Sequence, residues 1–209
     1  MGHLFLDIET YSSKENPDSS LNPYMPESKV LVIAYSYYPD FKPPKKEGLK
    51  PPVFLNEWES DEKAILFAFH KLLKELELKD QHLNIHGYNI LKFDLPYLFG
   101  RMVALGLDSQ KNLHNLLFRP FGTDMYQISP IISERTKSSE RLWGLSHKEA
   151  CRFFNLQEKE GTGLDCSRYY DAKEYDKIVK YCTQEFNLEQ LMDCFYLHVV
   201  GGSNTLSHR

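Results

Sequence analysis

Asp7 and Glu9 are the first residues whose types and spacing suggest chemistry. They interrupt the run Leu4-Phe5-Leu6-Asp7-Ile8-Glu9-Thr10-Tyr11, which otherwise reads as a short buried strand. Side chains alternate along a strand, so the two carboxylates project from one face. A carboxylate in apolar surroundings is costly until it neutralises, pairs with a cation or binds a metal. The pair is therefore a candidate half of a divalent-metal site for cutting phosphodiester bonds; the plainer alternative is a solvated strand end. Two more carboxylates stand out further along. Asp94 lies in His86-Gly87-Tyr88-Asn89-Ile90-Leu91-Lys92-Phe93-Asp94-Leu95-Pro96-Tyr97-Leu98, between a strand and a helix, where open sheets place ligands. It suits helix capping as well as metal binding, and a carboxylate has lone pairs for both. Glu185 is the one charged member of the stripe Ile178, Tyr181, Glu185, Leu188, Met192, Phe195, Val199, spaced 3, 4, 3, 4, 3, 4. Left uncompensated on a core-facing seam, it would cost roughly 3–5 kcal/mol. Its partner is a bound cation, with the Tyr181 hydroxyl one turn away, or else Arg152 or Arg168.

These residues need elements to carry them. Val30 to Tyr38 and Val53 to Leu55 read as further strands, and three strands in succession favour an antiparallel meander. Residues 11 to 29 form a long loop rich in Ser, Pro and Asn. Ser60 is the expected N-cap of a helix carrying Ile65, Leu66, Phe69, Leu72, Leu73 and Leu76. Leu83 to Ile85 is a fourth strand. Asp94 is the expected cap of a helix from about Leu95 to Leu105 that stops at Gly106. Gly122 to Tyr126 is a candidate fifth strand, with Asp124 as a strand-end hydrogen-bonding residue. Ser133 to Arg141 reads as a loop. Ser146-x-x-Glu149 is a capping box opening a short helix through Phe154. Asp171-x-x-Glu174 opens the last and longest helix, to about Val200, with a frayed tail over 203–209. One α/β domain over residues 1–202, with a mixed sheet, is the economical reading.

LFLDIET, then GYNILKFDLPYL, then YCTQE resembles, in that order, the three exonuclease motifs of the DEDD superfamily. The middle motif is similar to that of the 3′–5′ proofreading domain of B-family DNA polymerases and its stand-alone relatives. The resemblance spans roughly residues 3 to 197. It implies a ribonuclease-H-like fold, a five-stranded mixed sheet flanked by helices. It also implies roles: Asp7 bridging two Mg²⁺ or Mn²⁺ ions, Glu9 joining the shell of the first and Asp94 holding the second. Glu185 takes the fourth carboxylate's place, and Tyr181 orients the attacking water. The other branch has a histidine five residues before that carboxylate; here the position is Lys180. Asn89 and Phe93, with Tyr88 and Thr10, form the expected substrate contacts. The family's pattern ends in Asp where this chain has Glu185, and the extra methylene displaces the carboxylate by about one bond. The implied activity is metal-dependent 3′–5′ hydrolysis of single-stranded or frayed nucleic acid, DNA before RNA. The alternative is a weak or inactive nucleic-acid-binding module.

The bulk numbers bound the partners. The 209 residues are 42% apolar, with a net charge of −4 and a pI near 6.1. That excludes gripping nucleic acid by overall charge, leaving bound metal or a local basic set to do it: Lys42, Lys45, Lys46, Lys92, Arg135, Lys137 and Arg141, most of which suit a solvated surface equally well. Cys151, Cys166, Cys182 and Cys194 contain no Cys-x-x-Cys pair, which fits reduced thiols in a cytoplasmic protein. No stretch is long and apolar enough to span a membrane, and no signal peptide is expected.

Overall fold

The computed structural model describes residues 1–13, 21–43, 48–80, 82–133, 142–158 and 160–201, Glu185 in its backbone only. Lys45, Lys46, Arg135, Lys137, Arg141 and the tail over 203–209 lie outside the described residues.

Among the described residues, four strands form one mixed sheet in the order β3-β2-β1-β4: β1 (Gly2–Thr10), β2 (Val30–Tyr38), β3 (Val53–Asn56) and β4 (Leu83–His86). β1 to β3 are the antiparallel meander, and β4 runs parallel to β1. The alternation of β1 splits the core. Leu4, Leu6 and Ile8 face a cluster with Leu66, Phe69 and Leu98, while Phe5 faces the other side with Leu188 and Phe195. Asp7 and Glu9 are on the Phe5 side, opposite Ala34 and Val32 in the register. The register shifts between Glu9 and Thr10. A bulge there adds local twist at the edge of the acidic pair.

The helices are α1 (Glu62–Lys79), α2 (Asp94–Ala104), α3 (Gln110–Phe118), the single turn α4 (Met125–Ile128), α5 (His147–Phe153), α6 (Gly163–Asp171), α7 (Tyr175–Glu185) and α8 (Leu188–Gly201). The cap of α1 is Asp61, not Ser60; its carboxylate accepts from the Ala64 amide at 2.8 Å. The capping box at Ser146 forms as the sequence suggests. The one at Asp171 does not: Asp171 ends α6, and Glu174 precedes α7 without a side-chain cap.

The expected fifth strand is absent. Phe121 to Asp124 runs beside β4, but only as two isolated bridges, Asn84 to Phe121 and Gly87 to Asp124. Gly122 is required there, since a Cβ would land on the Ile85 carbonyl oxygen. The single long last helix is also absent. Phe186 and Asn187 break it after Glu185, so the expected stripe divides: Ile178 and Tyr181 join one cluster, and Leu188 and Phe195 another. Val199 is exposed. The break is held by Asn187, whose amide donates to the Gln157 carbonyl at 3.2 Å and Cys151 Sγ at 3.3 Å. Its oxygen lies 2.9 Å from His147 Nε2. All four cysteines are free thiols.

α8 also carries a buried carboxylate. Glu189 is held by the hydroxyls of Ser36 and Tyr38, with Asp193 one turn on. Burial pushes its pKa up, and Asp193 adds to the rise. A carboxylate with a raised folded pKa contributes most to stability below the unfolded pKa. That contribution is lost as pH rises through the folded value. Glu189→Gln is therefore expected to raise the melting temperature at pH 7–8 by a few degrees, where ~1 kcal/mol corresponds to ~2–4 °C. The gain should disappear near pH 4. Thermal melts from pH 4 to 8 check this, and an unchanged melting temperature at pH 8 would contradict it.

Candidate active site

A cavity of about 690 Å³ opens on the acidic side of β1. Asp7, Glu9 and Thr10 line it from β1, Tyr88, Asn89 and Phe93 from the β4–α2 connection, Asp94 from the start of α2, and Tyr181 from α7. All the expected site residues whose side chains are described therefore border one space. Glu185 is the last residue of α7, one turn after Tyr181.

Asp94 is not a cap. It is the first residue of α2, and the helix has no side-chain cap. Its Oδ1 accepts from the Ile8 amide at 3.1 Å, which ties it to the strand between Asp7 and Glu9. Asp94 and Glu9 are buried, while Asp7 is half-buried. Tyr181 belongs to one apolar cluster with Val32, the register partner of Glu9, so it stands on the same face of the sheet as the acidic pair.

Asn89 holds the left-handed conformation at φ 61°, which asparagine tolerates better than most residues. Asp124 supports it. Its carboxylate accepts from the amides of Asn89 at 2.8 Å, Leu91 at 3.2 Å and Tyr126 at 3.1 Å. It thus caps α4 and fastens the connection that carries Asn89 and Asp94. Tyr88 donates to the Leu145 carbonyl at 2.6 Å, and its ring meets His147 edge-on at 5.1 Å. Burial raises the Tyr88 pKa well above the usual range. His86 is structural. Its Nδ1 accepts from the Thr123 amide, so Nε2 carries the proton and faces His3 Nδ1 at 3.0 Å. Burial, then His3, pushes its pKa down to about 3.

Several contributors were not anticipated. The N-terminus of α6 brings Thr162, Gly163 and Leu164 to the cavity, with Gly163 close enough that a Cβ would lie 3.5 Å from Glu9 Oε2. A helix N-terminus favours an anion there. Thr162 and Asp165 form the capping box that starts α6, a signal present in the sequence. His147 lines the cavity from α5, and Leu21 from the loop after β1; neither has a distinctive sequence signature. Lys92 borders the cavity, whereas Lys42 pairs with Asp40 at 3.4 Å on the surface. Arg152 and Arg168, the alternative partners for Glu185, pair with Glu158 and Asp165, both at 2.9 Å.

Among the described residues, no three acidic, histidine or cysteine side chains are drawn together at metal-binding spacing; the Glu185 side chain is not among them. The donor chemistry nevertheless suits a hard divalent cation. Asp7, Glu9 and Asp94 offer carboxylate oxygens into one cavity, as Mg²⁺ and Mn²⁺ prefer. No described helix is long and apolar enough to cross a membrane.

No family model matches the chain. It is 27% identical over 139 residues to a DNA polymerase delta catalytic subunit from Plasmodium falciparum, a match covering 66% of this chain and 11% of that protein. Its fold matches part of the family B DNA polymerase of the archaeon Pyrobaculum calidifontis, with a TM-score of 0.62 and 16% identity over 95% of this chain and 24% of that one. The chain thus spans about a tenth of the curated relative and a quarter of the solved one. At such identity the structural likeness establishes the fold. The resemblance to B-family DNA polymerases is present in both sequence and architecture.

Proposed function

We propose that the chain is a metal-dependent 3′–5′ exonuclease that hydrolyses single-stranded or frayed nucleic acid, DNA in preference to RNA, and releases nucleoside 5′-monophosphates. The observation that best supports this is the gathering of Asp7, Glu9, Asp94 and Tyr181 around one cavity, on a fold shared with DNA polymerases. The architecture is read as ribonuclease-H-like, with the fifth strand reduced to bridges, in one domain over residues 1–202.

Asp7, Glu9, Asp94 and Glu185 would hold two Mg²⁺ or Mn²⁺ ions, which when bound supply positive charge to the phosphodiester and lower the pKa of water. Other residues of the chain orient and grip. The Ile8 amide fixes Asp94 to the strand that carries Asp7 and Glu9, so the three acids keep one geometry. The Tyr181 hydroxyl orients the attacking water. Asn89, held by Asp124, and Thr10 hydrogen-bond the terminal nucleotide. Phe93 and Tyr88 offer faces to its base. Lys92, at the rim, faces the backbone phosphate.

A second reading, a binding module with little or no turnover, is favoured by the place of Glu185 at a helix end just before a break. A 5′-labelled oligonucleotide with Mg²⁺ or Mn²⁺ separates the two. Under the first reading the parent trims from the 3′ end, and Glu185→Asp changes the rate less than about tenfold. If the parent binds the 3′ end without cutting and only Glu185→Asp cuts, the binding module is correct.

A further inference from the structure

We propose that the aromatic groove between α2 and α3 is a second base-binding subsite, taking the base next to the terminal one of a single strand whose 3′ end lies in the acidic cavity. This rests on the nuclease reading above. The groove has a volume of about 430 Å³ and shares Leu21, Lys92 and Phe93 with the acidic cavity, so the two spaces adjoin. The volume lies in the ~300–1,000 Å³ range of small-ligand clefts.

The lining chemistry identifies the occupant. Tyr24, Phe93, Phe99, His114 and Phe118 present rings to it, over the buried Tyr97. Phe93 lies 5.5 Å from Tyr97, and Phe118 is 5.9 Å from Phe99 and 5.3 Å from His114, centroid to centroid. Tyr24 and His114 are exposed, so their faces are available for stacking. Among the described residues no acidic side chain lines the groove, whereas Asp7, Glu9 and Asp94 line the cavity beside it. The exposed Lys92 stands at the junction. A polyanion passing from one space to the other would carry its phosphate past that lysine and place a flat, weakly polar base among the rings. Aromatic platforms stack every base, which suits an enzyme that reads a 3′ end rather than a sequence.

The platform is also braced. The Tyr24 amide donates to Asn22 Oδ1 at 3.0 Å, and the Pro23 carbonyl accepts from Arg101 at 2.9 Å. Pro23 lies so close to Gly100 that a Cβ there would come within 2.5 Å of the proline ring. The loop wall is thus fastened to α2 and holds Tyr24 opposite α3.

The test uses the full chain with Ca²⁺, which substitutes for the activating ions while slowing hydrolysis, and a single-stranded DNA decamer carrying 2-aminopurine next to its 3′-terminal nucleotide. Stacking in the groove is expected to quench the probe on binding. Tyr24→Ala and His114→Ala, both surface substitutions, should each relieve the quench and weaken decamer binding about tenfold, as expected for one stacked base. Neither should alter binding of a nucleoside 5′-monophosphate. If the parent and both variants bind the decamer equally with the same fluorescence, the subsite is wrong while the nuclease reading stands. If the parent does not bind the decamer at all, the nuclease reading falls and the subsite with it.

Discussion

Asp7→Asn is expected to reduce metal-dependent trimming by at least ~100-fold, the scale on which single electrostatic contributors act in active sites, while leaving the fold as stable as the parent or slightly more so. Asparagine keeps the shape of the side chain and removes only its charge. Asp7 is half-buried at the cavity wall on the central strand β1, paired with Ala34. Glu9 shares its face, and Asp94 is held by the intervening Ile8 amide. Three like charges so placed repel one another without cations, so loss of one relieves the apo protein. Opposite movements of activity and melting temperature are the signature of a residue kept for chemistry. Activity and stability falling together would make Asp7 a structural residue, and unchanged trimming would remove it from the site. Asp94→Ala should differ, losing activity and stability at once, because the buried Ile8 amide would lose its acceptor.

The sheet was legible because its signal is local. Each strand is a short apolar or alternating run, and β1 to β4 appear within one or two residues of where that pattern puts them. The fifth strand misled for the same reason. Gly122 to Tyr126 has a strand's neighbours, but the Asp124 carboxylate gathers the amides of Asn89, Leu91 and Tyr126 and turns the chain into α4. The contacts to Asn89 and Leu91 cross more than thirty residues, and no local window of sequence contains them. The last helix failed through the opposite error. Its 3–4 spacing continues unbroken through residues 186 and 187, with no proline or glycine to stop it. The break comes from Asn187 reaching Cys151 and Gln157, tertiary hydrogen bonds that overrule a periodicity.

The acidic residues of the candidate site stood out through type and order, since carboxylates in apolar runs are costly and therefore conspicuous. Their supports were not. Asp124 and His147 are ordinary in sequence and acquire meaning only from where the chain folds back. Two missed elements did leave marks. The Thr162–Asp165 box announces α6, and Ser109, whose side chain accepts from the Asn112 amide, caps an α3 that buries Leu113, Leu116 and Leu117.

Arg101→Leu is expected to destabilise the fold by ~3–5 kcal/mol, the cost of stranding one partner of a buried ion pair, or roughly 6–20 °C in melting temperature for a protein of this size. Arg101 grips Glu62 with two parallel bonds, Nε to Oε1 at 2.7 Å and a terminal nitrogen to Oε2 at 2.6 Å, and both side chains are only 11% exposed. Glu62 Oε1 also accepts from the Val30 amide at 2.9 Å, so the pair joins α1, α2 and the start of β2. Removing the arginine leaves Glu62 charged among apolar neighbours. Urea titration of the single variant, of Glu62→Gln and of the double variant Glu62→Gln/Arg101→Leu measures the coupling; the double variant should recover part of the loss because no charge is stranded. A change below about 1 kcal/mol for Arg101→Leu would show the pair to be solvated in effect. The same guanidinium holds the Pro23 carbonyl, and Leu21 and Tyr24 on that loop border the two spaces where a strand would lie. Well below its melting point, the single variant should therefore bind oligonucleotides more weakly than the parent while the carboxylates on β1 keep their geometry, separating the loop's part in substrate grip from the strand's part in the chemistry.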